Sequence, residues 1–215
     1  GNLERKIVAS HFEKNKENNV LLAMSFGKDS LLSYGLAKEI GLNISLIFDN
    51  DTQNYEKRAQ HHRRRIIKQF IRKETPITAF TDNIDCILES KSIKKPLNDL
   101  ENLNGALSFI LEFFPFAYIF KAKYFLFGNE KNLDDYYLNE DHAISYPSFD
   151  QTTFYAKKLN TWLAPLTNDK IHITSVIEPL YNLAEMKILY SRYPRLLQYI
   201  MSCYPPDKAN SRWCH

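Results

Sequence analysis

The sequence predicts an α/β fold: a parallel sheet of roughly five strands with helices on both faces. Three observations carry this expectation. Short apolar runs of the length of buried strands recur at residues 20–24, 44–48, 76–80, 124–127 and 171–177. Segments of helical period or helical composition lie between them. Polar clusters stand after several of these runs, at the strand ends where open parallel sheets take up ligands.

The elements follow in order. Residues 3–17 are charged and read as a helix, and 20–24 as the first strand. Leu31, Leu32, Tyr34, Leu36, Ala37 and Ile40 form a helical stripe that stops at Gly41. Residues 44–48 make the second strand, 51–73 a long basic helix and 76–80 the third strand. Residues 81–101 are polar and read as irregular. Residues 103–121 read as a buried helix, although Glu112 and Pro115 interrupt their apolar run. The fourth strand, 124–127, ends at Gly128-Asn129-Glu130. A helix over 152–163, a fifth strand at 171–177 and helices at 184–190 and 194–201 complete the chain.

Composition narrows the function classes. With 44% hydrophobic and 25% charged residues, 13 Tyr and 14 Phe, the 215-residue chain can bury a sizeable core. Its formal net charge of +3 neither demands nor excludes a nucleic-acid partner. No run of about 18 uncharged apolar residues is present, so no membrane span is expected. Cys86, Cys203 and Cys214 are too few for a disulfide framework. A cytoplasmic, reduced setting is therefore expected.

The strongest chemical signal is Ser25-Phe26-Gly27-Lys28-Asp29-Ser30, where a strand gives way to a helix. Backbone N–H groups at a helix start lack intrahelical partners and carry partial positive charge, which suits a phosphate. Gly27 allows close approach, Ser25 and Ser30 add hydroxyls, and Lys28 adds charge. Asp29 caps the helix, fixes the loop or helps hold Mg²⁺. The loop is not a Walker A motif, since Leu22 and Asp29 occupy positions where that motif needs Gly and Ser or Thr. A second polar cluster, Gly128-Asn129-Glu130 with Asp134 and Asp135, supplies carboxylates suited to Mg²⁺. A third, Asp49-Asn50-Asp51, follows the second strand.

The first segment resembles the S-G-G-x-D-S loop of the PP-loop ATP pyrophosphatase superfamily, the adenine nucleotide alpha-hydrolase-like proteins. Phe26 departs from it, standing in place of the first Gly. Gly128-Asn129-Glu130, residues 145–154, Glu178-Pro179-Leu180, Ser202-Cys203 and Arg212-Trp213-Cys214 come in an order similar to one branch of that superfamily. This branch contains the UDP-N-acetylmuramoyl-L-alanyl-L-glutamate epimerase; the 7-cyano-7-deazaguanine synthases are a more distant likeness. Ala106 and Leu107 stand where that branch has His and Pro.

The resemblance implies an ATP-binding α/β domain over residues 1–180 and a C-terminal helical extension over 181–215. It implies ATP held by Ser25, Phe26, Gly27, Lys28, Asp29 and Ser30, with Phe48 and Asp49 at the second strand end. The implied catalytic residues are Lys28, Asp29, Asn129, Glu130 and Lys187. Mg²⁺ would be held by Asp29 and Asp134. Cys203 and Cys214 would be part of a Zn²⁺ site, incomplete here because structural zinc takes four ligands. The implied activity is adenylylation of a carboxylate or carbonyl oxygen on a small-molecule acceptor, with release of pyrophosphate. A tRNA-modifying enzyme and a non-catalytic nucleotide-binding module are the alternatives. Lys57, Arg58, His61, His62, Arg63, Arg64, Arg65, Lys68, Arg72 and Lys73 give the basic helix a tRNA-compatible charge, though a solvated outer face explains such a run equally well. Tyr136, Tyr137, Tyr146, Phe149, Phe154 and Tyr155 are expected in the core or a lid.

Overall fold

The structure, a computed structural model, describes residues 18–49, 57–80 and 98–201. The elements run β1 (Asn19–Ala23), α1 (Lys28–Glu39), β2 (Asn43–Asp49), α2 (Lys57–Lys73), β3 (Ile77–Phe80), α3 (Asn98–Ile119) and β4 (Tyr124–Leu126). They continue with β5 (Tyr137–Leu138), β6 (Ile144–Ser145), α4 (Thr153–Thr167), β7 (His172–Thr174) and α5 (Asn182–Arg192). Short 3₁₀ turns cover Lys131–Asp134, Phe149–Gln151 and Pro194–Tyr199.

Five strands form one parallel sheet in the order β3-β2-β1-β4-β7, as the apolar runs predict. Leu22 of β1 pairs with Leu46 of β2 on one side and Leu126 of β4 on the other. Alternation along these strands feeds two cores. Leu22, Leu46 and Leu126 face one layer with Leu31, Tyr34, Ile66, Phe70 and Leu189 of α1, α2 and α5. Leu21, Ile47 and Phe125 face the other, with Ile110, Phe113, Leu159 and Leu163 of α3 and α4. The order runs outward from β1 through β2 to β3, then restarts on the other side of β1 with β4. That reversal opens a crevice at the carboxyl ends of β1 and β4.

Several expectations change. The fifth strand stops at Thr174, because the Ser175 hydroxyl turns the chain by donating to the Asn129 carbonyl at 2.7 Å and accepting from the Ile177 N–H at 3.2 Å. Residues 98–101 belong to α3 and are not irregular. α3 is buried along one side only: Ile110, Phe113 and Ala117 are covered, whereas Leu111, Tyr118 and Ile119 are exposed. The last expected helix is a 3₁₀ turn that starts at Pro194. Residues 136–146 contain an unexpected antiparallel hairpin, β5 with β6. Tyr136 and Tyr137 by this hairpin, Phe149 in the 3₁₀ turn and Phe154 in α4 are exposed, so of the core and lid alternatives the core is excluded for them. The expected helix over 3–17 lies outside the described residues.

Residues 182–201, expected as an extension, contribute Leu189, Leu196, Tyr199, Ile200 and Met201 to the core of α1 and α2. α1 seats closely against this segment at Gly35, where a Cβ would lie 2.9 Å from the Tyr193 ring. Among the described residues, no helix is long and apolar enough to cross a membrane.

Candidate nucleotide and cation site

The loop after β1 starts as an extension of the strand: the Met24 N–H donates to the Ile47 carbonyl at 2.8 Å. Phe26 then takes a left-handed backbone, φ 64°. That is the conformation for which glycine is usually needed. Phe26 adopts it because its ring is wholly buried, 0% exposed, with edge contacts to Phe48 at 5.9 Å and Phe70 at 5.3 Å. Its carbonyl accepts the Met201 N–H at 2.8 Å. The side chain therefore points into the core, away from any ligand in the crevice.

Gly27 precedes α1 as its N-cap, and Leu31 N–H makes the first intrahelical bond back to the Gly27 carbonyl at 3.1 Å. By helix geometry, the N–H groups of Lys28, Asp29 and Ser30 have no intrahelical acceptor. The Ser25 hydroxyl lies 3.3 Å from the Gly27 N–H and 3.3 Å from the Ser30 hydroxyl, which donates to the Gly27 carbonyl at 3.1 Å. Small hydroxyls thus hold the loop open without a bulky side chain over the helix end.

A cavity of about 570 Å³ lies beside this helix start. Ser25, Asp29, Ser30, Phe48, Asp49 and Asn129 of the expected set all line it. Its opposite wall is apolar, built from Phe109, Ile110 and Phe113 of α3 with Phe127 and Leu159. Arg63 lines it from α2, with its guanidinium 4.7 Å from the Phe48 ring centroid. The size falls in the range of small-molecule sites, about 300–1,000 Å³. Arg64, Arg65, Lys68, Arg72 and Lys73 are exposed while Ile66 and Phe70 are buried, so α2 is amphipathic with a solvated basic face.

Lys28 does not point at an open phosphate position. Its ammonium bonds Asp29 and lies 2.8 Å from both Glu130 Oε2 and Glu185 Oε2. Burial works against the ammonium charge, but the bonds to Asp29, Glu130 and Glu185 outweigh it and hold Lys28 above its ordinary value. Glu185 is 1% exposed. Burial, reinforced by the nearby Asp29 and Glu130 carboxylates, outweighs its ion pair with Lys28 and pushes it up to about 9.

Glu185 is the site residue that the sequence reading missed. The α5 residue that reaches the loop is Glu185, not Lys187; Lys187 is exposed. Residues two apart in a helix lie about 200° apart around the axis, so Glu185 and Lys187 face opposite ways. The available signal was the stripe: Glu185 lies four residues before buried Leu189, a charge at an apolar position.

Asp134 also departs from expectation. Its carboxylate accepts the Thr153 N–H at 2.7 Å and the Thr153 hydroxyl at 2.6 Å, at the start of α4. Burial opposes its charge, yet these bonds outweigh it and hold the group below the usual carboxylate range. It pins the 3₁₀ turn to α4 and is not part of the carboxylate cluster Asp29, Glu130 and Glu185. Those three offer only hard oxygen donors, which fits Mg²⁺. Cys203 and Cys214 lie outside the described residues.

Gly128 sets how closely the two loops approach. A Cβ there would lie 2.8 Å from Asp29 Cβ, a contact that backbone must relieve. Gly128→Ala is expected to lower stability by about 1–3 kcal/mol, the usual cost of overpacking. Gly27→Ala is the matched control, because its new methyl would meet only the Ser25 hydroxyl at 3.4 Å. Thermal melts of the two variants check this; equal melting temperatures would show that the Gly128 contact is slack.

No protein-family model matches the chain, and no curated protein matches it. Among solved structures, it is similar to the U34-tRNA thiolase NcsA from Methanococcus maripaludis, solved with its 4Fe-4S cluster, at 14% identity and a TM-score of 0.49. The likeness covers 94% of this chain and 63% of that one, so this chain spans under two thirds of that protein's length.

Proposed function

We propose that the chain binds ATP in the crevice and adenylylates an oxygen of an acceptor, as a PP-loop pyrophosphatase-type enzyme. The observation that carries this reading is the cavity at the strand-order reversal, lined by Ser25, Asp29 and Ser30 at the start of α1. The apolar wall of Phe109, Phe113 and Phe127 suits a flat base, and the helix start suits phosphates.

The chemistry follows from what an anionic leaving group needs. An acceptor oxygen bonds to the α-phosphorus, the bond from that phosphorus to the bridging oxygen breaks, and pyrophosphate leaves with the electron pair. A poor leaving group on the acceptor becomes AMP, which a second nucleophile displaces. The α1 N–H groups with the Ser25 and Ser30 hydroxyls would stabilise charge growing on the pyrophosphate. Asn129 and Glu130 would lie beside the acceptor. Magnesium, when bound, would offset the same charge. The Asp29, Glu130 and Glu185 carboxylates are the residues placed to hold it.

Calorimetric titration of Mg-ATP into the wild-type protein and Asp29→Ala, with products separated afterwards, tests this. Saturable binding is expected, weakened at least tenfold by the substitution, about 1.4 kcal/mol. AMP and pyrophosphate are expected once a suitable acceptor carboxylate or carbonyl is supplied. Absence of ATP binding to the wild type would overturn the proposal. Binding with no pyrophosphate across an acceptor panel would leave a nucleotide-binding module without catalysis.

A further inference from the structure

The cavity extends past the start of α1 to a second end, lined by Ala106 of α3, by Ser148, Asp150 and Gln151, and by Ala156 of α4. This end lies towards β7, since the Asn160 side chain of α4 bonds the Ile173 backbone. Asp150 is 8% exposed there. Its Oδ1 accepts the Ser148 hydroxyl at 2.8 Å, and its Oδ2 accepts the Ala106 N–H at 3.0 Å. Both donors are neutral, and among the described residues no Lys, Arg or His pairs with Asp150. An ionised carboxylate has about four acceptor positions, so these two bonds leave room for further donors. A buried charge is costly without a partner of opposite sign. The cavity wall supplies little: among the described residues Asp29, Asp49 and Asp150 line it against one cation, Arg63, which stands over the Phe48 ring of β2.

We infer that the acceptor carries a cationic nitrogen, and that Asp150 is the specificity-determining residue that holds it. The acceptor is then an amino-carboxylate or similar zwitterion. Its nitrogen lies at Asp150, and its oxygen is turned towards the start of α1. Like charges repel, so the Asp150 carboxylate keeps the ATP phosphates at the α1 end and leaves its own end to the acceptor. A purely anionic acceptor meets that same repulsion and gains nothing in return. The Gln151 carboxamide lines the same end and can donate or accept a bond to the rest of the molecule. The assignment of this ligand as the acceptor rests on the ATP reading above.

The test uses matched pairs that differ by one ammonium: glycine, β-alanine and γ-aminobutyrate against acetate, propionate and butyrate. Ligand-detected nuclear magnetic resonance measures their binding to the wild type with Mg-ATP and without it. At least one amine should bind more tightly than its partner by about tenfold, the scale of a charge-assisted hydrogen bond. Asp150→Asn should abolish that preference and leave Mg-ATP affinity unchanged. Ser148→Ala, which removes a neutral donor and keeps the charge, should retain the preference. A merely structural Asp150 would lower the melting temperature in both variants and alter the preference in neither. The inference falls if no amine outbinds its partner, or if Asp150→Asn keeps the preference. It falls equally if Asp150→Asn weakens Mg-ATP, since the carboxylate would then read the nucleotide. Amine preference in a wild type that binds no Mg-ATP would remove the ATP reading, and with it the acceptor role, but keep the Asp150 subsite.

Discussion

Phe26→Gly is expected to destabilise this protein by about 2–4 kcal/mol. Two effects oppose each other. Glycine relieves the left-handed backbone at φ 64°, a strain of about 1–2 kcal/mol for a residue with a Cβ. It also removes a wholly buried ring that meets Phe48 and Phe70 edge to face. Emptying such a position costs about 3–5 kcal/mol, and the looser glycine backbone adds about 0.5–1 kcal/mol. Packing wins, so the melting temperature should fall by roughly 5–15 °C for a chain of this size. Phe26→Ala should fall at least as far, since alanine loses the ring and keeps the strain. A Phe26→Gly protein that melts above the wild type would show that backbone strain, not packing, dominates the loop.

The second large effect is electrostatic and depends on pH. Lys28→Met leaves Asp29, Glu130 and Glu185 facing each other without their cation. Removing one member of a buried pair costs about 3–5 kcal/mol, but Lys28 is 21% exposed, so about 2–3 kcal/mol at pH 8 is the appropriate expectation. The deficit should shrink towards pH 5, where Glu185 is protonated in full and the repulsion fades.

The wild type should slope the same way, for a stated reason. The folded value of Glu185 is raised from 4.5 to about 9, so the folded state holds a proton that the unfolded chain has released. Its contribution is complete below pH 4.5 and is lost as pH rises through about 9. Lys28 is also held above its ordinary 10.5, so its contribution persists across this whole window. Melting temperatures from pH 5 to 9 for the wild type, Lys28→Met and Glu185→Gln check the scheme. The wild type should decline, Lys28→Met should decline more steeply, and Glu185→Gln should be flatter. A wild-type stability that rises from pH 6 to 9 would place a charged, not a protonated, Glu185 in the cluster.

The fold was legible because burial leaves a direct trace in the sequence. Strands covered on both faces are apolar at nearly every position, and residues 20–24 and, Ser45 apart, 44–48 show this. Helices covered on one face carry a stripe, and Ile66 and Phe70 beneath the exposed Arg64 and Arg65 show that. The loop between β1 and α1 that lines the cavity was legible too, since a Gly flanked by hydroxyl residues between strand and helix has a local meaning. Aromatic composition left core and lid undecided for Tyr136, Tyr137 and Phe154, and their exposure excludes the core. Asp134 misled because a carboxylate after a strand reads alike as a metal ligand and as a helix-pinning acceptor. Only its partner, Thr153, distinguishes the two.

By itself, then, the sequence determined the strand and helix alternation, the parallel sheet and the position of the loop before α1, because each depends on residues that are neighbours along the chain. Three features waited for the tertiary structure: the burial of Phe26 between Phe48 and Phe70, the capture of Lys28 by Glu130 and Glu185, and the closeness of Gly128 to Asp29. Each joins residues far apart in the chain, and electrostatics and packing act on distance in space, which the order of residues does not record.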